Sequence, residues 1–432
     1  MCTERLRSCV LAAMWCCVHS CTGAFAAEPD ENQTPPNPQV NVVEGGESHL
    51  PAAKCRKMIV GPGVNQPDPF PGYQGFVGWE CPVRLRDGTM LVSFNAGYWH
   101  ASRPTPLPPG YVSRWEEEYG PVFDVEAPRG GRAMITRSTD DGVTWSKPQT
   151  LLDTPYDDRH PAITELSDGT LVCSMFTAAS VKEDCERLDP SRGPRTGVVR
   201  SFDGGLTWET EPHRLPLVFL MEATDGPPME MPDKSILLTS YGNDKELGRW
   251  VIGLFRSVDR GANWTLLSKV VADFRQGEAS MARLHDDRLV MITRKEGGLS
   301  WSSDEGRTWT PPVTFGFQMF APTLQVMPDG TLVCIHGCYN RSLGGGGLRA
   351  IFSTDGGKTW VAPNKNYGFK VDDAYGYSRS CLMPDGTAYL TYVGTGGHIL
   401  KDAKNNMIWS IKLRVRDDHS GIELVPVAGE LD

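Results

Sequence analysis

The sequence predicts an all-β fold, a six-bladed β-propeller, because two short patterns recur along the chain. The first pattern, S-x-D-x-G-x-x-W, occurs five times, beginning at Ser138, Ser201, Ser257, Ser302 and Ser353. Its Ser and Asp can bond nearby backbone amides, its Gly permits a left-handed turn, and its Trp can bury apolar surface where the next strand begins. Each copy therefore predicts a tight hairpin. Recurrence at intervals of 45 to 63 residues indicates a solenoid or a propeller.

The second pattern, Leu/Met-x-Asp followed by two turn residues and an apolar strand, counts the units more completely. Its six copies begin at Leu85, Leu166, Met231, Leu284, Met327 and Met383. Five units continue into the first pattern, and the sixth ends in the strand-like segment 407–413. Two hairpins per unit make four antiparallel strands, so the series predicts six blades over residues 53–432. The alternative, several separate small β domains, lacks the linkers that it would need.

Composition excludes two classes of partner. The 432 residues include 46 Gly and 33 Pro and carry a formal net charge of −10, which argues against nucleic-acid binding. After residue 30 no apolar run is long enough to span a membrane. We therefore expect a globular protein with neither a nucleic-acid partner nor a membrane span.

The N-terminus predicts export. Arg5 and Arg7 precede an apolar run over residues 9–18, and the small-residue segment Ala24-Phe25-Ala26 follows. This is the pattern of a secretory signal peptide, here residues 1–26, so we expect a secreted or periplasmic protein. Segment 18–21 weakly favours a lipoprotein signal instead. The polar, Pro-rich segment 27–52 is expected to be a disordered leader.

Seven cysteines follow the predicted signal peptide, so at least one is free or paired between chains. Cys334, His336 and Cys338 are spaced as metal ligands can be. No second cysteine pair accompanies them, which favours a structural role. The sequence predicts neither a metal nor a cofactor.

Ligands of propellers usually bind at the mouth of the central channel, where the innermost strands begin. In this chain those strands begin eight or nine residues before the Asp of the second pattern. The positions eight residues before it are Trp79, His160, Asp225, Glu278, Ala321 and Tyr377. The positions nine residues before it are Gly78, Arg159, Thr224, Gly277, Phe320 and Gly376. Polar and charged residues at one shared position of a rigid scaffold indicate a site more than packing.

The first pattern resembles the Asp box of the sialidase (neuraminidase) superfamily of exo-glycosidases, and the segments around Glu278 and Tyr377 resemble catalytic strands of that superfamily. The resemblance extends from about residue 77 to residue 409. It implies a Tyr nucleophile, a Glu that polarises this Tyr, three Arg that hold the sugar carboxylate and an Asp as acid/base. Matched residue by residue, these roles give Tyr377 as nucleophile, Glu278 as its partner, and Arg294 and Arg349 as two of the carboxylate-binding Arg.

The chemistry of the pair agrees with these roles. A phenol with a pKa of about 10 is a poor nucleophile at neutral pH, and a carboxylate within hydrogen-bond reach can take its proton. Sialidases are an exception to the rule that glycosidases use two carboxylates. The alternatives are that Tyr377 is a half-buried strand aromatic and that Glu278 is a solvated strand end.

Two positions depart from the resemblance. Gly78 stands where the first carboxylate-binding Arg is expected, and Arg132 stands where the acid/base Asp is expected. The candidates to bind substrate in their place are Arg159, Arg132 and His160. The candidates for acid/base are Asp158 and Asp124, with His160 and His100 as further possibilities. The long insertion over residues 97–131 is either a functional lid or an ordinary surface loop.

These observations predict a secreted exo-glycosidase that hydrolyses a terminal, anionic sugar from a glycan. A non-catalytic glycan-binding propeller is the alternative, and a structural propeller is the third reading. The Asp-box carboxylates are expected to stabilise the fold, because their hairpins lie between outer strands, far from the channel mouth.

Overall fold

The structure is a computed structural model, and it describes ten stretches of the chain. These are residues 38–70, 73, 75–97, 131–154, 156–181, 195–316, 318–338, 346–374, 377–394 and 407–427. The predicted signal peptide, most of the 97–131 insertion, His100 and Asp124 lie outside the described residues.

Within these stretches the chain is almost entirely β. One short helix, α1, spans Ala52–Cys55. The strands, in chain order, are β1 Gln39–Val42, β2 Lys57–Val60, β3 Phe76–Arg84, β4 Met90–Gly97, β5 Arg132–Ser138, β6 Gln149–Leu152, β7 Tyr156–Glu165, β8 Leu171–Val181, β9 Arg195–Ser201, β10 His213–Arg214, β11 Phe219–Ala223, β12 Met229–Glu230, β13 Ile236–Asp244, β14 Arg249–Ser257, β15 Thr265–Val270, β16 Gly277–Arg283, β17 Leu289–Arg294, β18 Gly298–Ser302, β19 Val313–Thr314, β20 Phe320–Val326, β21 Leu332–Cys338, β22 Gly347–Ser353, β23 Thr359–Ala362, β24 Phe369–Asp372, β25 Ser378–Leu382, β26 Ala388–Val393, β27 Ile408–Val415 and β28 Ile422–Val425.

The strands form six sheets, each one blade of a β-propeller. Blades 1, 2 and 4 are the four-stranded sheets β3-β4-β5-β6, β7-β8-β9-β10 and β16-β17-β18-β19. Blade 3 is β11-β13-β14-β15, and β12 also pairs with β13. Blade 5 is β20-β21-β22-β23, and blade 6 is β25-β26-β27-β2. The prediction of six blades is confirmed.

The N-terminal segment joins two blades. Strand β2 pairs antiparallel with β27, so blade 6 takes its outer strand from the beginning of the fold. Strand β1 pairs parallel with β23 of blade 5, beginning at Gln39 opposite Thr359. The expectation that all of 27–52 is a disordered leader is therefore wrong for Gln39–Val42. The unpaired edge of β23 offers backbone groups that these residues bind, whatever their polarity.

The core lies between neighbouring blades, whose facing strands carry the buried apolar residues. Between blades 5 and 6, for example, Phe352 and Phe369 stack with ring centroids 6.0 Å apart. Tyr392 is fully buried in the same cluster, and its hydroxyl donates to Asp372 over 2.7 Å. No helix in the described part of the chain is long and apolar enough to cross a membrane.

The five Asp boxes share one set of hydrogen bonds. In the first box, Ser138 Oγ donates to Asp140 over 2.7 Å and accepts from the Gly142 amide over 3.0 Å. Asp140 also accepts from the Thr144 amide over 2.8 Å. Gly142 has φ +85°, and a Cβ there would lie 2.6 Å from the Tyr389 ring, so the turn requires glycine. The equivalent bonds recur in the other four boxes.

At the opposite end of the blades, the innermost strands share a kink. Four residues at the predicted channel-mouth positions are non-glycines with positive φ: Trp79 at 53°, His160 at 52°, Glu278 at 33° and Ala321 at 43°. The hydrogen-bond ladder shifts register at each of them, as at a β-bulge. Such bulges redirect side chains and are frequent beside active sites. Their recurrence at one position in four blades marks this end as the candidate functional face.

Candidate active site

Tyr377 and Glu278 meet at the channel mouth, although 99 residues separate them in the chain. The Tyr377 hydroxyl donates to Glu278 Oε1 over 2.5 Å. Burial raises the pKa of the Tyr377 phenol well above its usual value, and the Glu278 charge raises it further. The phenol is therefore neutral at rest, and Glu278 is placed to receive its proton when the oxygen reacts.

Arg294 binds the same carboxylate from the adjacent strand of blade 4. Its Nη1 donates to Glu278 Oε1 over 2.5 Å, and its guanidinium lies 3.7 Å from the Phe320 ring centroid. Burial opposes the charge, but Glu278 and Tyr377 hold the pKa of Arg294 above its usual value. The Arg294 side chain remains 32% exposed, so it can contact a ligand at the mouth while paired with Glu278.

Aromatic rings enclose Tyr377. Trp79 stacks on the His160 ring, with centroids 4.6 Å apart and planes at 24°. The Tyr377 ring stands edge-on to three others, at 6.2 Å from Trp79, 5.2 Å from His160 and 5.0 Å from Phe320. These contacts fix the direction of the phenol and cover much of its surface.

Below these rings a chain of polar and charged groups crosses the channel. His160 Nδ1 lies 2.6 Å from Asp225 Oδ1, and the other Asp225 oxygen forms an ion pair with Arg379. Burial works against the charge of Asp225, yet Arg379 and the His160 hydrogen bond hold the pKa of Asp225 below its usual value. Arg379 also donates to Thr323 Oγ1 over 2.7 Å, so the chain joins blades 2, 3, 5 and 6.

Arg159 reaches the aromatic wall from blade 2. Its guanidinium lies 4.9 Å from the Trp79 ring centroid, and its Nε donates to Asp157 over 2.6 Å. Asp157 also accepts from the Gly131 amide over 2.6 Å, which holds the carboxylate in place. Arg159 is therefore a second cation near Tyr377.

Three of the predicted site residues have described contacts away from Tyr377 and Glu278. Arg132 forms an ion pair with Asp153 over 2.7 Å and lies over the Phe70 ring at 4.0 Å. The remaining two are Arg349 and Asp158. Because a strand position fixes only the face on which a side chain emerges, it does not predict these partners.

Arg349 borders a separate cleft of about 930 Å³ between blade 5 and the segment before β2. Its Nη2 donates to the Gly346 carbonyl over 2.8 Å, and its guanidinium lies 5.0 Å from the Tyr367 ring centroid. Asp158 is fully buried, and its two carboxylate oxygens accept from the Thr154 hydroxyl over 2.6 Å and the Thr154 amide over 2.7 Å. That binding leaves Asp158 poorly placed to exchange protons with a ligand.

Two buried ionisable residues of the channel have no role assigned by the sequence. Arg379 lies two residues after Tyr377, and this period of two along a strand was the signal that could have found it. Glu80 follows Trp79 and is 1% exposed, and its carboxylate has no hydrogen-bond partner among the described residues. Burial raises the pKa of Glu80 to about 8. Both line a cavity of about 10 Å³ below Tyr377, close to the volume that holds one water.

The described residues contain no group of three or more His, Cys, Asp or Glu side chains placed to hold a metal ion. His336, between Cys334 and Cys338, is fully buried, and its Nδ1 lies 3.1 Å from the Gly337 carbonyl. Burial lowers the pKa of His336 to about 4.

Comparisons with known proteins agree on the fold. The family described as the BNR repeat-like domain matches residues 133–390. Comparison with curated proteins returns no significant match. Among solved structures, a protein of unknown function from Dyadobacter fermentans is similar at 18% identity and TM-score 0.61, over 82% of this chain and 98% of that one.

Two enzymes show the same fold at lower identity. The intramolecular trans-sialidase from Ruminococcus gnavus, in complex with oseltamivir carboxylate, is 13% identical with TM-score 0.54, over 83% of this chain and 97% of that one. The alpha-L-arabinanase of Penicillium chrysogenum, complexed with arabinobiose, is 15% identical with TM-score 0.52, over 83% and 98%. The matched repeats, the six blades and the five Asp boxes lead to one conclusion: the chain belongs to the BNR repeat-like domain family.

Proposed function

We propose that this protein is a glycoside hydrolase that removes a terminal, anionic sugar from a glycan, with Tyr377 as the nucleophile. The observation that carries the proposal is the 2.5 Å hydrogen bond from the Tyr377 hydroxyl to Glu278, at the mouth of the channel. A half-buried phenol with a raised pKa needs a base at its oxygen before it can attack, and Glu278 is that base.

The reaction divides into two displacements. In the first, Tyr377 Oη attacks the anomeric carbon, the phenol proton passes to Glu278, and the glycosidic bond breaks as its oxygen takes a proton from a general acid. In the second, water attacks the same carbon and gives a proton back to that acid, the bond to Tyr377 breaks, and the phenolate takes its proton back from Glu278. A neutral nucleophile avoids the repulsion that a carboxylate would meet beside an anionic sugar.

Arg294 and Arg159 support an anionic substrate. Both guanidinium groups lie beside rings that contact Tyr377, Arg294 over Phe320 at 3.7 Å and Arg159 over Trp79 at 4.9 Å. A charge-assisted hydrogen bond to such a group contributes about 1.5–3 kcal/mol, or roughly ten- to a hundred-fold in affinity. Arg349 and Arg132 have their described contacts elsewhere, with the Gly346 carbonyl and with Asp153.

A non-catalytic glycan-binding propeller is the second candidate, and one observation favours it. Gly78 replaces the first carboxylate-binding Arg, and the Phe76 ring and Val393 lie within 3.3 Å of where a Cβ at Gly78 would be. Position 78 therefore lacks both the positive charge of that Arg and the space for its side chain. Such a protein would bind the same sugar without cleaving it.

The test is hydrolysis of fluorogenic glycosides, sialosides and uronides included, by the wild-type protein and by Tyr377→Phe. We expect one anionic class to be cleaved and the Phe variant to lose that turnover, because the ring packing survives but the nucleophilic oxygen is gone. Tyr367→Phe, which removes a hydroxyl from a ring outside the mouth, is the matched control and should keep its activity. Sugar binding without turnover on every member of the panel would support the glycan-binding propeller instead.

We also propose that the protein works outside the cytoplasm, on the basis of the signal-peptide pattern over residues 1–26. Cell fractionation with N-terminal sequencing of the mature protein tests this. Cleavage after residue 26 and recovery from the periplasm or medium are expected. An intact N-terminus in the cytoplasmic fraction would contradict it.

A further inference from the structure

The orientation of His160 is determined by contacts on several sides. Its Nδ1 lies 2.6 Å from Asp225, and its ring stacks on Trp79 at 4.6 Å. The Phe176 ring lies 5.2 Å away at 44°, and the Tyr377 ring stands 5.2 Å away at 89°. The His160 backbone has φ +52°, uncommon outside glycine, at the bulge that redirects strand β7.

Asp225 determines which nitrogen of His160 can exchange protons. A carboxylate accepts hydrogen bonds, so Nδ1 carries the hydrogen that it donates to Asp225. The second nitrogen, Nε2, is then the atom that gains or loses a proton. Asp225 is itself held by the buried Arg379, which also binds Thr323 and the Ser378 carbonyl over 2.8 Å. The carboxylate is therefore fixed beneath the imidazole.

The other candidate acids are poorly suited to protonate a leaving group. Glu278 is already bonded to Tyr377 and Arg294. Asp158 accepts two hydrogen bonds from Thr154 and is fully buried. Glu80 is buried below the aromatic rings and lines the small cavity on their inner side. His160 is thus the described group beside Tyr377 whose chemistry fits proton transfer.

We propose that His160 is the general acid and base of this site, and that Asp225 and Arg379 are its positioning residues. The inference rests on the proposed function. It adds the group that takes the place of the acid/base Asp that the sialidase resemblance implies. The His160 and Tyr377 ring centroids lie 5.2 Å apart, so the two groups are neighbours at the channel mouth.

The proton balance closes over the two displacements. In the first, Nε2–H of the His160 imidazolium gives its proton to the leaving glycosidic oxygen as Tyr377 bonds to the anomeric carbon and passes its own proton to Glu278. In the second, neutral Nε2 takes a proton from the attacking water as the bond to Tyr377 breaks and Glu278 returns its proton to the phenolate. The sum is hydrolysis, with every group restored.

Leaving-group dependence tests the role. For the anionic sugar that the wild-type protein cleaves, kcat/KM is measured with a methyl and a 2,4-dinitrophenyl glycoside. In His160→Gln we expect kcat/KM for the methyl glycoside to fall about 10²- to 10⁴-fold, because that oxygen needs a proton to leave. The dinitrophenyl glycoside, whose leaving group needs no proton, should lose far less. Asp225→Asn should show the same asymmetry at smaller amplitude.

The matched control is His213→Gln. His213 is also in blade 2 and also pairs with a carboxylate, Glu209 at 3.2 Å, but it lies on the outer strand β10. The His213→Gln variant should leave kcat/KM for both glycosides unchanged. Equal losses on the two glycosides in a folded His160→Gln protein would overturn the role of His160 and leave Tyr377 hydrolysis standing. Absence of wild-type turnover on the whole panel would overturn the proposed function and this inference together.

Discussion

Polar groups at the two ends of the propeller bind different kinds of partner. At the Asp-box end, short-range hydrogen bonds repeat in five blades, and each carboxylate is bonded within its own turn. At the channel mouth no two blades present the same side chain, and charged groups bond across the channel over long sequence separations, 99 residues for Tyr377 and Glu278. The repeated hydrogen bonds at the Asp-box end therefore stabilise each blade, whereas the contacts at the mouth assemble one site from several blades.

The two ends also place their left-handed residues differently. Each Asp-box turn has two in succession, and glycine takes the second, as Gly142 does at φ +85°, whereas Asp141, Arg260 and Glu305 take the first in three of the boxes. The mouth has one at the same position of four innermost strands, at Trp79, His160, Glu278 and Ala321, where a bulge redirects the strand. Substitutions at the two ends should therefore separate activity from stability.

The largest effect is expected at the mouth, from Glu278→Gln. The amide cannot take the proton of Tyr377, so kcat should fall by about 10²- to 10⁴-fold. The control Glu230→Gln changes a carboxylate that binds Ser167 at the opposite end, over 2.6 Å, and should leave kcat unchanged. Steady-state kinetics on the cleaved glycoside measures both. Equal kcat values for the two variants would contradict a catalytic role confined to the mouth.

At the Asp-box end, Trp360→Ala should affect stability instead. Trp360 is fully buried, donates to the Gly357 carbonyl over 2.7 Å and packs edge-on against Phe315 at 5.4 Å. Its loss should lower the free energy of unfolding by about 3–5 kcal/mol, as measured by urea denaturation. Trp360→Phe should lose less. Below the unfolding transition, kcat per folded molecule should match the wild type, and a selective loss of kcat would contradict a purely structural role.

A pH-dependent effect on stability is expected from Glu80→Gln. Burial raises the pKa of Glu80 from 4.5 to about 8, so the folded state holds a proton that the unfolded state releases. Folding is unpenalised below pH 4.5, and stability is lost as pH rises toward 8, at up to about 1.4 kcal/mol per pH unit. The Gln variant lacks this loss. Its free energy of unfolding relative to the wild type should therefore rise between pH 5 and pH 8.5, and a pH-independent difference would show that Glu80 is ionised in the fold.

The sequence predicted the blades because each is specified by local patterns of turns and strands. Counting eight residues back from each turn Asp also identified Glu278 and Tyr377, since equivalent strands begin at equivalent heights on the channel. What it did not predict depends on packing between distant segments. The parallel pairing of β1, the Arg379–Asp225 ion pair and the contacts of Arg349 with Tyr367 and Gly346 arise only when blades meet.

The most direct test of the central claim is to trap a covalent bond between the sugar and Tyr377. A fluorinated glycosyl fluoride of the cleaved sugar would form the intermediate faster than water releases it, and peptide mass spectrometry would locate the added mass. We predict one added sugar, on the peptide that contains Tyr377, and none in Tyr377→Phe. Turnover with the label on another residue, or inactivation without any covalent adduct, would contradict Tyr377 as the nucleophile.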